Sequence, residues 1–423
     1  MQTPRGRIGL GLVLIALSVT LLLGLLLKTQ PVIRDGHLRA PCAEGDWGDY
    51  KQYRHLCYSD IVPLYYTEHL QGGRIPFVDA CPAGGFQCDE YPVLTMLAMY
   101  VTALPASTAA SFFYSNVFLL SVAAVVIAVG LYLVAGRRAL YFALAPTLAI
   151  YGFMNWDLLA VALATAATVA FLWRRDVPAG ILLGLGAAAK LYPALLVIPF
   201  AAERFRERKP DEAIHLTWAA AGTWLVVNVP FALLGAHGWT EFFRFNANRV
   251  ADWDSLWFIG CQRVTGHTAC LSTGLVNVLS LVAFVVLAAL VWQLRRRRDP
   301  QFPRWTFALP LIILFLLTNK VYSPQYGLWL LPLFALALPR LGRVPPLGLF
   351  ALFEAADVAV FVTRFSFFGR YAGVGGAPLG AFELAVAIRA AVLVACIVAW
   401  VRQRTPELDT EVQTLSRPEE VAA

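Results

Sequence analysis

Charge is scarce in this chain. Asp, Glu, Lys and Arg make up 14% of its 423 residues and hydrophobic residues 59%, against about 25% charged in an average soluble domain. That excludes a soluble globular protein and indicates a membrane protein with many spans. Cysteine pairs of the CxxC type and histidines at metal-ligand spacing are also missing, so the common zinc patterns are absent and no metal is expected. No internal repeat is visible, although a transporter built from repeated halves would be expected to show one. No small-residue cleavage site follows the first apolar run, residues 8–27, so that run is read as a retained signal anchor and first span. The net charge of +7 does not point to nucleic acid, because the arginines fall in short clusters between apolar spans. There they act as topology signals.

These basic clusters allow the topology to be walked out by the positive-inside rule. With Arg5 and Arg7 inside, residues 28–110 form a large external loop containing an interfacial helix at 93–104. Spans at 111–134, 141–152 and 158–172 lead back to Arg174 and Arg175. The apolar run 179–202 then has positive charge on both sides, which a single crossing cannot satisfy. A hairpin with its tip at AAAKLYP, at Lys190, Tyr192 and Pro193, satisfies it, and the residue before a proline is biased away from helix. Further spans at 214–234, 274–294, 307–317, 328–338, 347–361 and 382–401 enclose external loops at 235–272, 318–326 and 364–380. The expected architecture is a single all-α membrane domain, residues 1–401, with about 11–13 transmembrane or membrane-embedded helices. Residues 402–423 are expected to form a disordered cytoplasmic tail. Both termini are placed inside and the polar loops outside.

Six of the seven cysteines, Cys42, Cys57, Cys81, Cys88, Cys261 and Cys270, fall in the loops placed outside. An even external count argues for an oxidising compartment and disulfides. Pairing of near neighbours is the simplest of the fifteen connectivities; free thiols or a zinc site are the alternatives.

Polar residues concentrate in four places, all on the external side. The first loop carries Asp46, Asp49, Asp60, Asp79, Asp89 and Glu90; the others are Asn155 to Asp157 beside Lys190, the run 247–257 with Arg249, Asp252 and Asp254, and the run 319–326 with Lys320, Tyr322, Ser323 and Gln325. An enzyme acting on a lipid-borne substrate needs this layout: a carboxylate in water, cations and hydroxyls at headgroup level, and an apolar groove below. Each residue also has a plainer reading. Asp60 stands where a helix N-cap would, and Asp46 and Asp49 suit an Asx turn or a cation loop. Glu90 would favour the dipole of the helix that follows. Lys190 requires a partner or a cavity, since a lone ammonium in hydrocarbon costs about 2.5 to 3.5 kcal/mol, and Asp157 is a candidate partner; a clamp on a lipid phosphate is the alternative. Lys320 is either a phosphate contact or a solvated cation. Asp357 and Arg389, at matching depths in the last two spans, are expected to pair.

The ordered runs SDIVPLYYTEHLQGGRIPF (59–77), EYPVLT (90–95), NWDLLAVALA (155–164), AGILLGLGAAAKLYPALLVIPF (179–200), NRVADWDSLW (248–257) and NKVYSPQYGLWLLPL (319–333) resemble the actinobacterial polyprenyl-phosphate-mannose-dependent alpha-(1,2)-mannosyltransferase family. These are membrane glycosyltransferases of the C superfamily, with the GT-C fold. The resemblance implies a lipid-phosphate sugar as donor, no further cofactor, inversion at the anomeric carbon, and an essential first-loop acid at the position of Asp60. It implies a glycolipid or cell-wall glycan acceptor and an extracytoplasmic active site in the cell envelope. The longer cysteine-rich segment 46–58 departs from the family pattern and keeps Asp46 and Asp49 as rivals of Asp60. An arabinosyltransferase of the same superfamily is the nearest alternative, and a lipid-linked-sugar transporter or a scaffold the alternatives from other classes.

Overall fold

A computed structural model describes residues 4–34, 36–82, 88–267 and 270–403, with side chains from residue 9 onward. The tail expected beyond residue 403 lies outside the described residues. The described chain is predominantly helical, with one small β-hairpin, Val32–Arg34 with His37–Arg39, in the first loop.

Among the described residues, six helices are long and apolar enough to cross a membrane, including Gly9–Thr29, Pro210–Leu234 and Thr273–Arg298. These keep apolar side chains such as Val226, Leu233 and Leu281 on the outside, as a lipid-facing surface requires. The short helices Ala308–Thr318 and Leu331–Ala337 are instead buried almost throughout. The physical reason is that a short helix ends inside the apolar layer, and its terminal backbone groups can be satisfied there only when surrounded by protein.

The doubly flanked segment 179–202 folds back on itself. Helix Asp176–Ala189 stops at Lys190, whose backbone is extended (φ −159°, ψ 138°), and the chain returns through Tyr192–Leu196 and helix Val197–Arg206. The base of the hairpin is closed by Arg204, whose Nε lies 2.7 Å from Asp176 Oδ1 and whose Nη2 donates to the Phe171 carbonyl at 2.8 Å. Its first arm lies hard against Pro210–Leu234. A Cβ on Gly180 or Gly184 would collide with the Leu216 or Ala220 carbonyl, the close approach that small residues four apart permit.

The disulfides are Cys42–Cys57, Cys81–Cys88 and Cys261–Cys270, the near-neighbour connectivity, while Cys396 is free and buried. Asp357 and Arg389 pair at 3.0 Å. One expected loop is corrected: RFSFFGRYAG was assigned to the loop 364–380, but helix Pro346–Tyr371 runs on through it. Arg364 is tolerated there because its Nε lies 2.7 Å from Asp254 and its Nη2 3.6 Å from Asp252, so the charge is neutralised on the helix surface. The second long loop, 235–272, is likewise mostly helical, as Ala236–Asn248 and Leu256–Thr265.

Candidate active site

The polar places converge on one open cavity of about 830 Å³. Asp60, Glu90, Asn155, Lys190, Tyr192 and Arg249 line it, as do Asp252, Lys320, Ser323 and Gln325.

Asp60 occupies the N-cap position of helix Ile61–Thr67, yet its side chain caps nothing. The Ser59 hydroxyl accepts from the Ile61 amide instead, at 3.3 Å, which frees the carboxylate for the cavity. Its two oxygens accept hydrogen bonds from the Tyr58 hydroxyl and the Asn155 side-chain amide, both at 2.8 Å. The backbone beneath is pinned to the segment carrying Asn155, because the Asp60 amide donates to the Met154 carbonyl at 2.8 Å and the Ser59 hydroxyl to the Phe153 carbonyl at 2.9 Å. Lys28, at the end of the first helix, donates to the Tyr58 carbonyl at 2.6 Å. Asn155 also donates to the Tyr91 hydroxyl at 2.7 Å. Four separate segments thus orient one carboxylate.

Glu90 enters the cavity from a second rigid support. Arg74 is paired with Asp89, the Glu68 carboxyl accepts from the Asp89 amide at 2.8 Å, and Asp89 accepts from the Phe77 amide at 3.0 Å. Burial pushes Glu68 up to about 8, against the pull of the Asp89 amide and of Arg74. Burial, and then the negative charge of Asp60, push Glu90 up to about 7 against the pull of Arg249.

The second loop docks on this support through glycine. A Cβ on Gly235 would collide with the Phe77 carbonyl, and one on Gly238 would come within 2.8 Å of the Asp89 carboxylate. Gly235→Ala is expected to cost about 1–3 kcal/mol, as overpacking of a tight contact does, read as a lower unfolding temperature in detergent. An unchanged unfolding temperature would show that the two loops are not clamped at this point.

Lys190 is neither a free clamp nor merely part of the core. Its ammonium lies 2.9 Å from Asp157 Oδ1 and 4.7 Å from the centre of the Tyr326 ring, with Tyr91 and Trp329 each at 5.8 Å. Asp157 also accepts from the Trp329 indole at 2.7 Å. On another wall Arg249 pairs with Asp252 at 3.1 Å. Lys320 is buried and not solvated; it donates to the Ala247 carbonyl at 3.1 Å, and burial, reinforced by Arg249, lowers its pKa from the usual lysine value.

Other residues named from the sequence stand elsewhere. Asp157 is fully buried behind Lys190. Asp254 is buried against Arg364, outside the cavity lining. Tyr322 covers the guanidinium of Arg389, 3.7 Å from its ring centre, and so faces away from the cavity. Asp49 sits in a left-handed turn at φ 54° on the surface, while Asp46 pairs with exposed Lys51; the disulfide-stapled segment holds both away from the cavity lining. Conversely, sequence reasoning missed Tyr58, Tyr91, Asn246, Tyr326, Trp329 and Arg364 in the lining. Tyr58 and Tyr91 flank the two acids in the chain, which was an available signal; Arg364 offered none, being one of two arginines in an aromatic run.

The family model of glycosyltransferase family 87 matches residues 90–324, more than half of the chain. The chain belongs to glycosyltransferase family 87. It is therefore a membrane glycosyltransferase. The segment matched by family 87 takes in Glu90, Asn155, Lys190, Arg249 and Lys320 but begins after Asp60. Among solved structures, ArnT from Cupriavidus metallidurans bound to undecaprenyl phosphate is similar at 12% identity and a TM-score of 0.47, covering 92% of this chain and 77% of that one. ArnT in the apo state is similar at 13% identity and a TM-score of 0.44, covering 95% and 77%. No curated protein matches the chain.

Proposed function

We propose that this family 87 enzyme moves a hexose, with mannose the first candidate, from a polyprenyl-phosphate sugar to a glycolipid or cell-wall glycan outside the membrane, inverting the anomeric carbon. The observation that carries the reading is that an oriented carboxylate, Asp60, shares one open cavity with Arg249 and Lys320. Asp60 takes the proton of the acceptor hydroxyl as that oxygen attacks C1. The bond from C1 to the phosphate oxygen breaks on the opposite face, so no covalent sugar intermediate forms. Lys190, Arg249 and Lys320 are the cations that stabilise charge on the departing phosphate, with Ser323, Gln325, Asn155 and Tyr192 as polar contacts. Asp252 holds Arg249 in position. The donor itself brings the activated bond, and the reading needs no further cofactor.

An extracytoplasmic site is supported by the disulfides. Two of them staple the loop that carries Asp60 and Glu90, and the third lies in the loop that follows Arg249; such bonds persist in oxidising compartments.

The test is transfer of radiolabel from polyprenyl-phosphate mannose to an added glycolipid by purified protein in vesicles, with polyprenyl-phosphate arabinose in parallel. Label moved from the mannose donor with inverted configuration is the expected result. Label moved from the arabinose donor alone would overturn the hexose reading. Movement of the intact sugar lipid across the bilayer without transfer would overturn the enzymatic one.

A further inference from the structure

We propose that Glu90 is a second catalytic residue, the proton donor to the departing phosphate, working opposite the base Asp60. The inference rests on the polyprenyl-phosphate donor proposed above.

The geometry around Glu90 is that of a side chain aimed and left free. Its backbone is held on both sides. Cys88 is in a disulfide and Asp89 is bound by Arg74, Glu68 and the Phe77 amide. Tyr91 is bonded to Asn155 and packs edge-on against Trp156, and Pro92 stands at the N-cap position of helix Val93–Ala103. Asp89 adopts φ 63°, a left-handed conformation that a non-glycine residue keeps only where its surroundings impose it. Amid this bracing no side chain among the described residues is hydrogen-bonded to the Glu90 carboxyl, which lines the cavity with Asp60 and Arg249.

The charged groups acting on Glu90 are Asp60 and Arg249, and Glu90 in turn acts on Tyr91 and Glu68. With its pKa pushed to about 7, Glu90 is substantially protonated near neutral pH. A phosphate monoester dianion takes up its first proton with a pKa of about 6. Donor and acceptor of the proton are therefore closely matched, the condition for efficient general acid catalysis.

The step balances. The acceptor oxygen forms its bond to C1 and gives its proton to Asp60; the C1–O bond to phosphate breaks with its electron pair going to phosphate, and the Glu90 proton passes to a phosphate oxygen. Products are the glycoside and the polyprenyl hydrogen phosphate. Asp60 is left protonated and Glu90 ionised, and exchange with water in the open cavity restores both.

The test is the pH profile of transfer, with binding of polyprenyl phosphate measured separately on each protein. The parent is expected to lose kcat/KM as pH rises through about 7. Glu90→Gln is expected to lower kcat by about 100-fold or more at pH 6, to abolish the alkaline limb, and to bind polyprenyl phosphate as the parent does. Glu90→Asp is expected to restore part of kcat together with an alkaline limb. An unchanged limb in Glu90→Gln, or a loss that lies wholly in affinity for polyprenyl phosphate, overturns the proton-donor role. A parent inert toward every polyprenyl-phosphate sugar overturns the donor reading and this inference with it.

Discussion

Asp60→Asn lowers the rate of sugar transfer by about 10²- to 10⁴-fold, the usual contribution of a general base, and leaves the fold intact. The substitution is nearly isosteric, and its hydrogen bonds can be kept: the new carbonyl oxygen accepts from Asn155 and the new amide donates to the Tyr58 hydroxyl, in place of the two bonds the carboxylate accepts now. Only proton-accepting capacity is lost. The measurement is initial rate in vesicles at saturating donor, with thermal unfolding of the same preparation alongside. Activity within a few-fold of the parent, at an unchanged unfolding temperature, would remove Asp60 from the role and move the search to Glu90.

Lys190→Met carries the second large effect, on stability. It strands the Asp157 carboxylate, fully buried, with the Trp329 indole as its remaining hydrogen bond. Breaking a buried pair by removing one partner costs about 3–5 kcal/mol, seen as a marked fall in unfolding temperature in detergent. The double variant Lys190→Met with Asp157→Leu removes both charges and is expected to recover most of that stability. The cycle also separates the two roles of Lys190. If Lys190 contacts the donor phosphate, the double variant unfolds like the parent but stays poorly active, with a raised KM for donor; recovery of both stability and activity assigns the pair a structural role alone.

The legibility of this protein varied with the kind of signal. The hairpin at Lys190 could be read because charge at both ends of one apolar run leaves few topologies, and the Arg204–Asp176 contact closes it as that argument requires. The disulfides could be read because short sequence separations favour local closure. Asp357 and Arg389 could be paired by depth, since neither charge is tolerated alone in an apolar bundle. Individual roles within the site were less legible. Asp46, Asp49 and Asp60 lie close together in one loop, and local pattern even favoured Asp60 as a helix cap; its place in the cavity lining and the bonds from Tyr58 and Asn155 distinguish it. Lys320 could be read equally as a phosphate contact or a solvated cation, and its burial excludes the second. Arg364 looked like part of a loop because its counter-charges, Asp252 and Asp254, lie more than 100 residues away in the chain.

By itself the sequence determined that this is a polytopic helical membrane protein, and it made near-neighbour pairing the simplest arrangement of the cysteines placed outside. Those properties follow from composition, from charge at the ends of apolar runs and from short-range closure, all local to the chain. Only the tertiary structure decided which acids share a cavity with which cations. It also decided that Asp157 and Asp254 stand behind the cavity as partners of Lys190 and Arg364, and that Glu90 lines the same cavity as Asp60. The reason is that an ionisable group in a membrane bundle is defined by what neutralises it, and here the neutralising groups arrive from distant helices and loops.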